Sequence, residues 1–124
     1  MLDRGTPLWY CVAVETEFPA GFEWDPEKAR RNALPPSYGA GCHGIEFPDA
    51  IRIFDDPWYV EQEEPDSIRR HGEMRWITCG RVDDRLLVVW TERGDNQRVI
   101  SARKAERYEE RSHEQAYRKG TGRD

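Results

Sequence analysis

Between residues 74 and 101 three strand-like stretches are separated by two short turns, and that spacing leaves few folds open. Residues 74–79 (MRWITC) read as the first strand. Val82, Asp83 and Asp84 make a tight turn. Leu86, Leu87, Val88, Val89 and Trp90 form a continuous apolar run, as expected of a central strand covered on both faces. Arg93, Gly94, Asp95 and Asn96 are turn residues, and Arg98 to Ser101 makes the next strand. Connections this short require neighbours running in opposite directions, so the spacing predicts an antiparallel meander.

The flanks supply helices. Asp25 is a good N-cap, Pro26 suits the first helical position, and Pro35 and Pro36 must end that helix. Residues 35–44 read as a Gly/Pro loop. Pro48 starts a second short helix through Phe54, stopped by Asp55, Asp56 and Pro57. Trp58 to Val60 reads as a strand and 61–72 as an acidic-then-basic loop. A charged helix with a thin apolar face is expected from Ala102 to about Tyr117, followed by a polar tail, 118–124. Residues 1–21 form an N-terminal extension whose segment 8–14 has the composition of an added edge strand. The fold class expected is α+β: a small antiparallel sheet with two short N-terminal helices and a C-terminal helix, as one domain over 22–117.

At 124 residues the chain has the length of a single domain. No apolar run is long enough to span a membrane, and the N-terminus shows no basic-then-apolar signal pattern, so a cytoplasmic protein is expected. Cys11, Cys42 and Cys79 lack CxxC spacing, which argues against a disulfide framework or a zinc site. The formal net charge of -5 is uneven: residues 1–80 hold 8 basic and 15 acidic groups, and residues 81–124 hold 11 and 9. The basic groups of the second part are mostly arginines, whose planar fork suits phosphate. There is no P-loop, GxGxxG, HExxH or GxSxG, so nucleotide-dependent and serine-hydrolase chemistry lack support.

From Phe22 onward the sequence resembles the BrnT family of toxins, the ribonuclease partners of BrnA antitoxins in bacterial type II toxin–antitoxin modules. The opening pattern FEWDPxKAxxN is met by Phe22, Glu23, Trp24, Asp25, Pro26, Lys28, Ala29 and Asn32. His43, Gly44, Ile45, Phe47 and Ala50 match the next signature, and Phe54, Asp56 and Pro57 an FxDP element. Gly72, Glu73, Arg75 and Trp76 form GExRW, Thr91-Glu92-Arg93 forms TER, and residues 98–105 read RVISARKA. Ten residues, 33–42, separate Asn32 from His43, more than the family pattern has, and Cys42 stands at the family's usual lysine. The resemblance implies a RelE-like microbial ribonuclease fold. It also implies metal-independent RNA cleavage with no cofactor, growth arrest, and a BrnA-like antitoxin with a ribbon-helix-helix DNA-binding element. Operator DNA would be bound only through that antitoxin.

Cleavage of RNA by its own 2′-hydroxyl needs a base, an acid and cations at the phosphate. The candidates are His43 and Glu92 for proton transfer and Arg75, Arg93 and Arg103 converging on one scissile phosphate. Arg98, Ser101 and Lys104 are expected to bind substrate. Glu109 reads more simply as a helix–sheet ion pair, His71 and His113 as solvated, and Trp24, Phe47, Phe54, Trp76 and Trp90 as core. The altered 33–42 loop and the acidic charge also fit a different class, a non-catalytic protein of this fold that binds an antitoxin-like regulator or acts as corepressor.

Overall fold

The computed structural model describes residues 18–122. Asp25 caps the first helix, α1 (Pro26–Ala33): its carboxylate accepts the Glu27 N–H at 2.9 Å, and Pro26 opens the helix. Helix α2 (Phe47–Ala50) runs directly into a 3-10 turn, Ile51–Asp55. α1 begins at its cap and proline, and α2 at Phe47, just before Pro48, without a side-chain cap. The strands are β1 (Phe22–Trp24), β2 (Val60–Glu63), β3 (Arg75–Val82), β4 (Arg85–Arg93) and β5 (Gln97–Lys104), in the sheet order β1-β5-β4-β3-β2. β3, β4 and β5 form the expected antiparallel meander. Asp83 takes a φ of 58° in the β3–β4 turn, a conformation that aspartate tolerates better than most residues.

Four features differ from the sequence expectation. The sheet is mixed, because β1 pairs parallel with β5; a Gln97 N–H to Gly21 carbonyl bond of 2.8 Å leads into that register. Residues 61–72 are not a loop: Val60–Glu63 is β2 and Ser67–His71 is a third short helix, α3. The final helix, α4 (Arg107–Thr121), begins later than expected and runs into the expected polar tail. β5 keeps its ladder to β4 as far as Lys104, and a reciprocal capping box between Glu106 and Glu109 then starts the helix. Finally, His113 is buried, as described below. The expected strand 8–14 lies outside the described residues.

One sheet face carries the core. Ile45, Phe47, Ala50 and Ile53 pack onto Val82, Leu87, Val89, Val99 and Ala102. The ring of Trp24 meets that of Phe47 edge-on at 5.8 Å. The unbroken apolar run of β4 is explained, since Leu87 and Val89 face this core while Val88 faces the other side, all fully buried. Asn32 fixes α1 beside the β5 edge. Its side-chain amide donates to the Ala102 carbonyl at 3.0 Å and accepts the Ala102 N–H at 3.2 Å, continuing the pairing where β1 has ended.

α4 packs on the opposite face against β2 and β3. It is anchored by His113, whose Nε2 lies 2.6 Å from the Asp56 carboxylate with both side chains buried. The same carboxylate accepts the Trp58 and Arg81 N–H groups. Trp58 stacks edge-on with Tyr117 and lies over Gly120. No helix of the described residues is long and apolar enough to cross a membrane.

Candidate functional site

Residues directly opposite one another in a sheet ladder point to the same face. Register therefore decides which candidates meet. Arg75 pairs with Glu92, and Glu92 with Arg98, so three strands place one acidic residue between two arginines on the α4 face. The next row on that face is Ile77, Trp90 and Ser101, and the one after it Cys79, Val88 and Arg103. Strict alternation along β5 would send Arg98 to the opposite face from Ser101. A β-bulge prevents this: Trp90 pairs with Ser101 and Thr91 with Val99, which leaves Ile100 as the extra residue. The bulge turns Val99 into the core and Arg98 out beside Glu92, the re-aiming for which bulges are known.

Arg75 Nε donates to Glu92 Oε1 at 3.2 Å, and both side chains are four-fifths buried or more. Among the described residues no carboxylate pairs with Arg98, which is exposed. Glu73 joins the cluster just before β3. A hydrogen bond to Glu92, available only when one of the two carboxyls is protonated, pushes the Glu73 carboxyl up. Partial desolvation and the Glu92 charge add to this, and Arg75 and Arg98 oppose it.

Arg103 is engaged two rows away. It makes two bonds to the Glu109 carboxylate at 2.8 and 2.9 Å, and its guanidinium lies 4.9 Å over the Trp90 ring. Burial pushes the Glu109 carboxyl up, but Arg103 and the Glu106 N–H outweigh it and hold the carboxyl below its ordinary range. Glu109 is thus the helix–sheet ion pair its position suggests. Trp90 and Trp76 are half-buried under arginines, not core residues.

The remaining candidates do not join the row. Arg93 follows Glu92 by one residue and so faces the other way, where it pairs with Glu61 at 2.6 Å and covers Trp76. The expected convergence of Arg75, Arg93 and Arg103 on one phosphate does not form. Lys104 follows Arg103 and also faces away. His43 lies at the β5 edge: its N–H and that of Ile45 both donate to the Asn32 carbonyl at 3.1 Å, next to the Asn32–Ala102 pairing. That neck closes the ten-residue loop 33–42. Ala102 is three ladder steps from the Arg98 row, about 10 Å at a strand's rise. Among the described residues nothing hydrogen-bonds the His43 ring, and it does not meet Glu92.

The fold also brings Glu64 and His71 beside the row, and His71, expected to be solvated, is largely buried there. Glu64 continues the β2–β3 ladder opposite Arg75, donating its N–H to the Arg75 carbonyl at 2.8 Å, and His71 lies against it. No spacing rule connects a strand end to a helix end seven residues on, so only the fold brings them together. Glu73 was legible as the acidic residue of GExRW, but not its approach to Glu92.

A family model described as the ribonuclease toxin BrnT of type II toxin–antitoxin systems matches residues 24–109, well over half of the chain. The match takes in every residue of the row. No curated protein matches the chain.

Proposed function

Because the chain belongs to the BrnT family of ribonuclease toxins of type II toxin–antitoxin systems, we propose that it cuts RNA on the Arg75–Glu92–Arg98 row. The observation that carries this reading is a cross-strand register that sets Glu92, bonded to Arg75, between Arg75 and Arg98, and leaves Arg98 without a carboxylate partner among the described residues. RNA supplies its own nucleophile. Glu92 takes the proton of the 2′-hydroxyl as the 2′-oxygen bonds to phosphorus. Arg98, and the terminal nitrogens of Arg75 beyond its bond to Glu92, hold the non-bridging oxygens as charge builds there. The bond to the 5′-oxygen breaks, leaving a 2′,3′-cyclic phosphate and a 5′-hydroxyl. This chemistry needs no metal or cofactor. Ser101 and Trp90 form the next row on the same face, and Arg103, held by Glu109, covers the Trp90 ring. His43, Arg93 and Lys104 take no part in proton transfer or phosphate binding.

The finer family properties belong to the same proposal. The five-stranded sheet with a C-terminal helix on one face fits a RelE-like ribonuclease fold. A BrnA-like antitoxin with a ribbon-helix-helix element would cover the row, and the pair would reach operator DNA only through the antitoxin. Free toxin would cut cellular RNA in the cytoplasm and arrest growth.

The test is induced expression of the chain alone, read by growth and total-RNA integrity, beside Glu92→Gln and Arg98→Ala. The wild type should arrest growth and cleave RNA, with cleavage by purified protein unaffected by EDTA. Glu92→Gln should cleave about 10²–10⁴-fold more slowly, the usual worth of a positioned base. Arg98→Ala should lose activity with little loss of stability, because Arg98 is exposed and no carboxylate pairs with it among the described residues. Normal growth and intact RNA with soluble, folded wild type would refute the reading and favour a non-catalytic binder.

A further inference from the structure

Resting on the reading above, we infer that His71 is the acid that protonates the departing 5′-oxygen, and that Glu64 is the residue that positions it. His71 Nε2 and Glu64 Oε2 lie 3.5 Å apart, with side chains only 21% and 12% exposed. Both atoms are buried, and among the described residues neither has a hydrogen-bond partner. Buried polar atoms are rarely left so, and such an exception needs an explanation. A histidine whose one ring nitrogen faces a carboxylate, with the other left for substrate, is the arrangement proton transfer uses. Hydrogen bonds of this kind are often long before substrate binds.

The placement of this pair makes it part of the proposed site. Glu64 is bonded through its backbone to Arg75, opposite it in the ladder. Ser67 and His71 stand one turn apart on the same face of α3. The Ser67 hydroxyl accepts the Arg75 N–H at 3.1 Å, so that helix face is fixed to the start of β3. Arg70, the neighbouring charge on α3, sits 3.7 Å from the other Glu64 oxygen. The row therefore reads Glu64, Arg75, Glu92, Arg98 across four strand positions, with His71 on Glu64. A phosphate held by Arg75 would have Glu92 on one side and His71 on the other. Strand spacing puts Glu64 and Glu92, the two ladder positions flanking Arg75, about 10 Å apart at the backbone, and His71 lies on the Glu64 side. In-line displacement requires the entering and leaving oxygens on opposite sides of phosphorus.

The step balances without another reactant. Glu92 gains the 2′-hydroxyl proton, the 2′-oxygen bonds to phosphorus, and the bond to the 5′-oxygen breaks. The imidazolium N–H of His71 gives its proton to that oxygen, leaving neutral His71, and both groups return to their starting states by exchange with water.

The experiment uses the full chain and two RNA oligonucleotides. One is all-oxygen. The other carries sulfur in place of the bridging 5′-oxygen at the linkage the wild type cuts most. A thiolate leaves without being protonated, so the sulfur substrate needs no acid. His71→Ala and His71→Gln should cut the oxygen substrate about 10²–10⁴-fold more slowly, yet cut the sulfur substrate at close to the wild-type rate. Glu64→Gln should lower kcat with little change in KM, and the sulfur substrate should relieve that loss too. Circular dichroism and binding of a 2′-deoxy analogue, which cannot be cleaved, should match the wild type. Wild-type speed of His71→Ala on the oxygen substrate would overturn the inference and leave the ribonuclease reading standing. Equal losses on both substrates in folded His71→Ala and His71→Gln would overturn it as well. If the wild type cuts neither substrate, the ribonuclease reading falls and takes this inference with it.

Discussion

Asp56 is where the greatest loss from a single small change is expected. Its carboxylate accepts the Trp58 N–H at 2.9 Å and the Arg81 N–H at 2.7 Å, and faces His113 Nε2 at 2.6 Å. These bonds join the loop before β2, strand β3 and helix α4. A hydrogen bond to a charged group contributes about 1.5–3 kcal/mol, and a buried donor stripped of its partner carries its full desolvation cost. Three such bonds would suggest more, but Arg81 is exposed and its N–H regains water. Asp56→Ala should therefore destabilise the fold by about 3–5 kcal/mol, a large share of the roughly 5–15 kcal/mol of a typical domain. Urea unfolding followed by circular dichroism and tryptophan fluorescence would measure this, with a constant slope confirming that stability alone changed. His113→Ala and the double variant complete a cycle. The pair should fall short of additivity by about 1–3 kcal/mol, because each single change removes the same contact. A cost below about 1 kcal/mol for Asp56→Ala, or additivity within about 0.5 kcal/mol, would refute the account of α4 docking.

Acid should weaken the fold in a defined direction. Burial pushes the Asp56 carboxyl up, but the Trp58, His113 and Arg81 donors outweigh it and hold it below its ordinary range; the bond from Arg93 does the same for Glu61, and Arg103 for Glu109. Carboxyls depressed in the folded state stabilise it fully above their unfolded values, and that stability is lost as pH falls through the folded ones. Urea midpoints should thus be level near neutrality and fall below about pH 4, less steeply in Asp56→Ala; a flat profile would contradict the sign. Gly120→Ala should cost about 1–3 kcal/mol and alter Trp58 fluorescence, because the new methyl would overlap the indole ring; unchanged stability would show that the ring is not seated there.

Much of the fold is legible because its signals are local. An Asp-Pro cap starts α1 whatever surrounds it, and turns at Asp83–Asp84 and Gly94–Asn96 make β3, β4 and β5 antiparallel neighbours. The GExRW, TER and RVISAR segments carry the resemblance that the family match bears out. The short elements were less legible. β1 is three residues long and exists because β5 offers it an edge, and β2 and α3 lie in a stretch too charged to show a period. The end of β5 was misread as helix because Ala102, Arg103 and Lys104 have good helix propensity, while their ladder to β4 holds them extended.

For the site, the linear order of residues is enough to give the chemical groups the chain carries and the β3–β4–β5 meander that bears most of them. Which of those groups meet depends on how the strands pair and the helices dock. A one-residue step separates Glu92 from Arg93, and side-chain alternation sends them to opposite faces. Arg98 stands beside Glu92 only because the strand bulges at Ile100, and a bulge is chosen by how Val99 and Ala102 both reach the core. His43, at the end of the 33–42 loop, is held at the sheet edge by Asn32. His71, in a stretch without a pattern, is brought to the row by Glu64 and Ser67. Register and docking are properties of paired elements, set by which packing buries the most apolar surface, and no single segment contains that choice.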